Sequence, residues 1–184
     1  NQMSSIDRTQ LYALDAAAQA IEQAKLQAEL NNNNKVAVIL GNSMGGERIT
    51  DDTIRVRLAV IFDTILNMEG IEYEYRKRII DEIGIRLKER YPKNNEDTVP
   101  GFLFNIISGR IANHFNCNGM NFTVDASCAS SSIATSLAIK GLLTGDFDYV
   151  ISGGSHSNFT PAFLMGINRS GIMTTNENKV FDKN

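Results

Sequence analysis

NFTVDASCASSSIATSLAIKGLLTG, residues 121–145, is the stretch whose reading decides the fold. Phe122, Thr123, Val124 and Asp125 read as a short buried strand, a cluster of tiny residues follows, and a helix comes after it. Ile133, Leu137 and the run from Ile139 to Leu143 supply the helix's apolar positions, and Gly145 is placed to end it. The next apolar run, residues 149–152, reads as a second strand, so the unit is β-α-β and the class is α/β. Cys128 falls at the strand-to-helix junction, where the first backbone N–H groups of a helix have no intrahelical partner. The positive end of the helix dipole there favours a thiolate. Ala126 and Ser130, two positions either side of the cysteine, are small, as the sharp turn of a nucleophile elbow demands. The competing reading makes Cys128 a small apolar residue packed under the helix, because free cysteines behave that way when buried.

Outward from this unit, 184 residues with 42% hydrophobic and 21% charged content are enough for one domain with a core. A net charge of −3 with no basic stripe excludes an electrostatic footprint for nucleic acid. No apolar run approaches the ~20 residues of a membrane span, and no signal peptide opens the sequence. Two cysteines, Cys117 and Cys128, make no disulfide framework, which suits a reducing cytoplasm.

Residues 5–30 read as one helix capped by Ser4, Ser5 or Asp7, with a stripe of Leu11, Leu14, Ala18, Ile21 and Lys25. Four asparagines at 31–34 stop it, and KVAVIL, residues 35–40, is a continuous apolar strand of the kind buried on both faces in a parallel sheet. GNSMGGE, residues 41–47, lacks the ending of a P-loop and the spacing of a dinucleotide fingerprint, so it reads as a tight loop against a neighbouring site. Residues 50–90 are mostly helical, with one stripe of Ile54, Leu58, Ile61, Ile65 and Leu66 and another of Tyr75, Ile79, Ile80, Ile83 and Leu87. Arg76, Lys77, Arg78, Arg86, Lys88 and Arg90 interleave the second stripe, as a solvated face or as a docking surface for an acidic partner. Residues 91–101 read as a loop and residues 102–115 as a mostly buried helix in which Gly109 suggests close packing. Gly153 and Gly154 turn the chain after the second strand, residues 161–170 form a short helix with Pro161 in its first turn, and residues 171–184 run out as loop.

Four stretches together resemble the N-terminal half of a β-ketoacyl synthase of the thiolase-like superfamily, most of all the ketosynthase domains of polyketide and polyunsaturated fatty-acid synthases. They are IDRTQLYALDAAAQAIEQA, GNSMGGERI, GRIANHFNCNGMNFTVDASCASSS and DYVISGGSHSNFTPAFLMGINRSGIMTTNENKVFD. The third is the most specific, because the strand, the Asp-x-x-Cys and the serine-rich helix start match in register. The resemblance implies a layered α-β-α-β-α architecture, of which residues 1–184 would be mostly the N-terminal half, truncated at both ends, with fewer strands than a complete half.

The activity it implies is acyl transfer from a carrier protein to Cys128, then decarboxylative Claisen condensation with a malonyl-type extender. The Cys128 backbone N–H would form half of the oxyanion hole, and Asp125 would be structural. Val99, Phe102, Phe163 and Ile167 match residues that line the family's acyl channel, which bulky Phe163 would shorten. No cofactor or metal is implied beyond the phosphopantetheine arm of an acyl carrier protein. A homodimer is implied, with the helix at 102–115 and the nucleophile strand near its interface.

The family's two catalytic histidines belong to its C-terminal half. His114 sits in an apolar helix as a core or interface residue, His156 follows the Gly-Gly pair and could approach the pocket, and Cys117 is a loop residue. Two alternatives remain open: a ketosynthase-like acyltransferase or decarboxylase, and a non-condensing scaffold for dimerisation and carrier-protein docking. A cysteine hydrolase would need a histidine base within reach of Cys128.

Overall fold

The computed structural model describes residues 5–30, 32, 34–90, 95–177 and 179. At its centre is β1 (Val36–Gly41), buried at every position. It pairs in parallel with β2 (Asn121–Val124) on one side and β3 (Tyr149–Gly154) on the other, giving the order β2-β1-β3. The register sets Val38 beside Asn121 and Ile151, and Gly41 beside Val124 and Gly154. Successive strand residues point to opposite faces. Val36, Val38 and Leu40 therefore enter one core with α1 (Arg8–Gln23) and α6 (Ile106–His114), while Ala37 and Ile39 enter another with α7 (Ser130–Thr144). Helices thus cover both faces of a parallel sheet, as the uninterrupted apolar run of β1 requires.

The expected β-α-β unit is present, with α7 carrying the chain across β1 so that β2 and β3 flank it. Several other sequence expectations need correction. The strand before Cys128 is not buried: β2 lies at a sheet edge with Asn121 and Phe122 exposed. The bulky residues of α7 do not face the sheet. Ser130, Ala134, Ala138 and Gly141 do, because only small residues let the helix lie close to β1 and β3, and Gly141 leaves room for the Phe147 ring. Ile133, Leu137, Ile139, Leu142 and Leu143 are left exposed, Leu143 at 84%. Gly153 and Gly154 do not turn the chain but continue β3.

The first helix is also shorter than expected. Asp7 caps α1, accepting from the Thr9 N–H at 2.8 Å, whereas Ser4 lies outside the described residues. The buried stripe is Gln10, Ala13, Ala17 and Ile21, displaced from the expected one because alanines allow close approach to the sheet. Lys25 stops the helix with φ 53°, in the left-handed region usually taken by glycine. The Leu26 N–H then donates to the Ile21 carbonyl at 3.0 Å, and α2 (Gln27–Leu30) returns Leu26 and Leu30 to the core. Of the asparagine stop, residues 31 and 33 lie outside the described set.

α3 (Glu47–Leu66) and α4 (Tyr73–Arg90) form a hairpin with no fully buried residue in α3 and with Ile54, Ile61, Tyr75 and Ile79 exposed, so the two apolar stripes are only partly covered. Half-buried Arg76 holds the hairpin closed, donating to the carbonyls of Leu66, at 2.6 Å, and Met68 at the end of α3. A guanidinium there satisfies orphan carbonyls and opposes the negative end of the helix dipole. Arg76→Ala is expected to cost about 1–2 kcal/mol, read as amide protection against hydrogen exchange lost selectively in α3 and α4. Lys77, Arg78, Arg86 and Lys88 are exposed, Arg86 pairs with Glu82 at 2.9 Å, and the Arg90 side chain lies outside the described residues.

α5 (Thr98–Phe102) occupies the end of the expected loop, of which residues 91–94 lie outside the described set. The buried helix is α6 alone, shorter than the expected 102–115. Among the described residues, a Cβ at Gly109 would meet only the Asn121 amide oxygen, at an ordinary 3.5 Å, so that glycine marks no close packing. α8 (Pro161–Arg169) starts as expected, with Pro161 in its first turn and Thr160 as its cap, and residues 171–177 are loop.

Candidate active site

The site is built where the three parallel strands end together. The Ser155 N–H donates to the Gly41 carbonyl at 3.2 Å, and the Asn42 N–H to the Val124 carbonyl at 3.1 Å. The Asn42 side-chain amide donates to the Ser155 carbonyl at 2.7 Å, while its oxygen is buried without a hydrogen-bond partner among the described residues. Carboxyl ends of strands in parallel sheets are where ligand crevices form.

Between β2 and α7 the chain makes a single 3-10 turn, Ser127–Ala129, with Cys128 in its middle. Asp125 starts it: its Oδ1 accepts from the Ser127 N–H at 3.0 Å. This Asx-type bond steadies Ser127 at φ 54°, a left-handed conformation costly for a residue other than glycine. Ser130 closes the turn, its Oγ accepting from the Ala126 N–H at 2.9 Å and donating to the Ser127 carbonyl at 2.6 Å. The Ala129 N–H donates back to the Ala126 carbonyl at 3.1 Å. None of these bonds uses the N–H of Cys128. The turn sets the thiol outward, exposed, with the Ser127 Oγ 3.9 Å from Sγ. Cys128 is therefore not a residue packed under the helix.

The thiol opens on a cavity of about 470 Å³. Gly41, Asn42, Ser43 and Met44 wall it on one side, as expected for the glycine-rich loop, and Gly154, Ser155 and His156 on another. Phe163 and Ile167 from α8 supply its apolar part. A cavity of this size suits a small organic ligand. Among the described residues, Cys128 and His156 are the only titratable side chains in its lining.

Of the sequence-derived site residues, the structure brings Cys128, Phe163 and Ile167 together. Val99 and Phe102 lie on α5, outside the cavity lining, with Val99 exposed. His114 is exposed at the end of α6, edge-on to the Phe115 ring at 4.7 Å, and is no core residue. His156 does line the cavity, its ring 5.3 Å from that of Phe163 and 6.1 Å from that of Phe159. Cys117 packs against the α1–α6 core, and burial pushes its thiol pKa up. Asn42 was missed by sequence reading, because its role depends on β1 and β3 ending side by side. Among the described residues, no group of three or more His, Cys, Asp or Glu could hold a metal ion.

The family model of the beta-ketoacyl synthase N-terminal domain matches residues 1–184. The chain belongs to that family. A polyunsaturated fatty acid synthase polypeptide from Thraustochytrium sp. is 30% identical over 95% of this chain and 6% of its own length. The highly reducing polyketide synthase ALT1 of Alternaria alternata is 28% identical over 73% of this chain and 5% of its own length. The chain therefore spans only about a twentieth of these curated relatives.

Among solved structures, the ketosynthase from module 6 of the bacillaene synthase of Bacillus subtilis 168 aligns with a TM-score of 0.57 and 21% identity, covering 92% of this chain and 22% of that one. A type II polyketide ketosynthase, solved with its acyl-carrier protein and bound to the hexaketide, aligns with a TM-score of 0.65 and 15% identity, covering 94% and 41%. The fold is thiolase-like. No helix of the described residues is long and apolar enough to cross a membrane.

Proposed function

We propose that this chain is the nucleophile-bearing portion of a β-ketoacyl synthase that loads acyl groups onto Cys128. The observation that carries the reading is an exposed cysteine on a strained elbow, opening on a cavity at the carboxyl end of a parallel sheet. The Cys128 sulfur attacks the carbonyl of an acyl thioester on the phosphopantetheine arm of an acyl carrier protein. The carrier's thiol leaves with the proton that Cys128 gives up. The Cys128 N–H, unused by the elbow's own bonds, donates to the developing oxyanion. A malonyl-type thioester then loses carbon dioxide. The resulting carbanion attacks the Cys128 thioester, forming a carbon–carbon bond and releasing the sulfur. Histidines from outside this chain serve the extender, as the family resemblance implies.

The exposed apolar face of α7 and the uncovered edge of β2 support two further assignments. The α7 face packs against the second half of a duplicated fold, and β2 with α6 lies near a homodimer interface. A reducing cytoplasm suits free Cys117 and Cys128. Phe163 and Ile167 line the acyl channel; Val99 and Phe102, on α5, reach it only if the acyl chain extends beyond the cavity described above. Phe163→Ala is expected to raise the loading rate of long relative to short acyl groups by about tenfold, since each added methylene is worth a few kcal/mol at most. Equal ratios in variant and parent would remove Phe163 from the channel.

The test of condensation supplies the full-length protein with acyl and malonyl carrier-protein thioesters. The expected products are carbon dioxide and a β-ketoacyl thioester two carbons longer. Carbon dioxide without the longer chain would favour a decarboxylase, and neither product would favour a scaffold.

A further inference from the structure

Asp7 does not line the cavity, yet its carboxylate ties the start of α3, which follows one cavity-lining loop, to Ser157, next to His156 of the other. The residue is 3% exposed. Its Oδ1 accepts from the Thr9 N–H at 2.8 Å and from the Ser157 Oγ at 3.3 Å, and its Oδ2 accepts from the Arg48 N–H at 2.9 Å. Its own N–H donates to the Gly101 carbonyl at 2.8 Å. Gly46 lies so near that a methyl group there would overlap the carboxylate. Thr9 extends the connection, with its Oγ1 at 2.6 Å from the Ser157 Oγ and its carbonyl accepting from the Ser155 Oγ at 2.8 Å.

A helix cap needs one oxygen and one partner on its own helix. Asp7 spends its other bonds elsewhere. One reaches Arg48 in the first turn of α3, directly after the loop at 42–46, whose Asn42, Ser43 and Met44 wall the cavity. The other reaches Ser157, so the residues on both sides of cavity-lining His156 are fixed to the start of α1. The three partners of the carboxylate among the described residues are all donors. An amide of the same shape would turn an NH2 group toward at least one of them.

We infer that Asp7 is a positioning residue that sets the separation of the two cavity walls, and through it the bulk of the chain that can reach Cys128. The inference deepens the reading of Cys128 as an acyl acceptor and rests on it. Losing the bridge lets the loops part and widens the entrance.

The test uses the full-length protein as wild type, Asp7→Asn, Ser157→Ala and Arg76→Ala. Arg76 holds the α3–α4 hairpin and lies outside the cavity lining, so its variant controls for general loosening. Alkylation of Cys128 by N-methylmaleimide and by N-dodecylmaleimide is followed by peptide mass mapping, and the ratio of long to short reagent rates is compared. Asp7→Asn is expected to raise the ratio about tenfold, since displacements near an ångström have effects of that order or more. Ser157→Ala, which leaves the Arg48 bond intact, raises it about threefold and decides the matter if Asp7→Asn does not fold. Arg76→Ala leaves it within about twofold of wild type. A ratio that falls or stays within about twofold of wild type in the bridge variants, or that Arg76→Ala changes as much, overturns the inference. A parallel arm offers short and long acyl carrier-protein thioesters. Wild-type Cys128 that takes both maleimides but no acyl group would refute the acyl-acceptor reading, while the maleimide ratio would still decide the role of Asp7.

Discussion

Cys128→Ala is expected to abolish acyl loading and condensation, lowering both by a factor on the order of 10³ or more, as removal of a nucleophile does in other covalent catalysts. The fold should survive. The thiol is exposed, and the turn around it is held by Asp125 and Ser130. A change in stability within about 0.5 kcal/mol is therefore expected. Comparing the thermal transition with the loading rate separates the two effects. Cys117 offers no substitute, because it packs against the core and burial raises its thiol pKa, so less of it is thiolate at neutral pH. Residual loading in Cys128→Ala near the wild-type rate would place the nucleophile elsewhere.

Gly41→Ala is the second large effect. Gly41 ends β1 beneath the first turn of α7, and a methyl group there would overlap the Ser130 carbonyl carbon and the Ser131 nitrogen. These are backbone atoms, so no side-chain rotation relieves the overlap. Either the helix start lifts from the sheet or β1 bends. The expected cost is about 3 kcal/mol, the upper end for overpacking, seen as a lowered thermal transition. Because Ser130 also closes the elbow, Cys128 alkylation should change as well. Gly145→Ala is the informative contrast. No atom of the described residues lies within 4 Å of its Cβ position, but its φ of 74° still penalises a side chain, so it should lose stability without altering Cys128. If Gly41→Ala matched wild type in both readouts, the close approach of α7 to β1 would be wrong.

The parts of the fold that sequence revealed were those written in strong local signals. The apolar run of β1, the glycine that ends α7, the proline that opens α8 and the cysteine between strand and helix all carry their own physical reason. Errors arose where tertiary packing overrides the local signal. In α7 the large apolar residues look like the buried face, yet close approach to the sheet selects the small ones instead. The break after α1 has no glycine or proline to announce it, because Lys25 takes the left-handed position. The exposure of β2 could not be read either, since strand composition does not tell an edge from a centre. For the site, Cys128 and the α8 residues were legible through motif and resemblance. Asn42 and the Asp7 bridge were not, because each joins segments far apart in the chain whose meeting depends on strand order.

Covalent loading at one sulfur can be observed directly. The full-length protein is mixed with an acyl carrier-protein thioester, digested, and the cysteine peptides weighed before and after hydroxylamine, which cleaves thioesters. The account predicts an acyl adduct on the peptide bearing Cys128, removed by hydroxylamine, with Cys117 unmodified. An unmodified Cys128 in protein that loads the acyl group on another residue would contradict it.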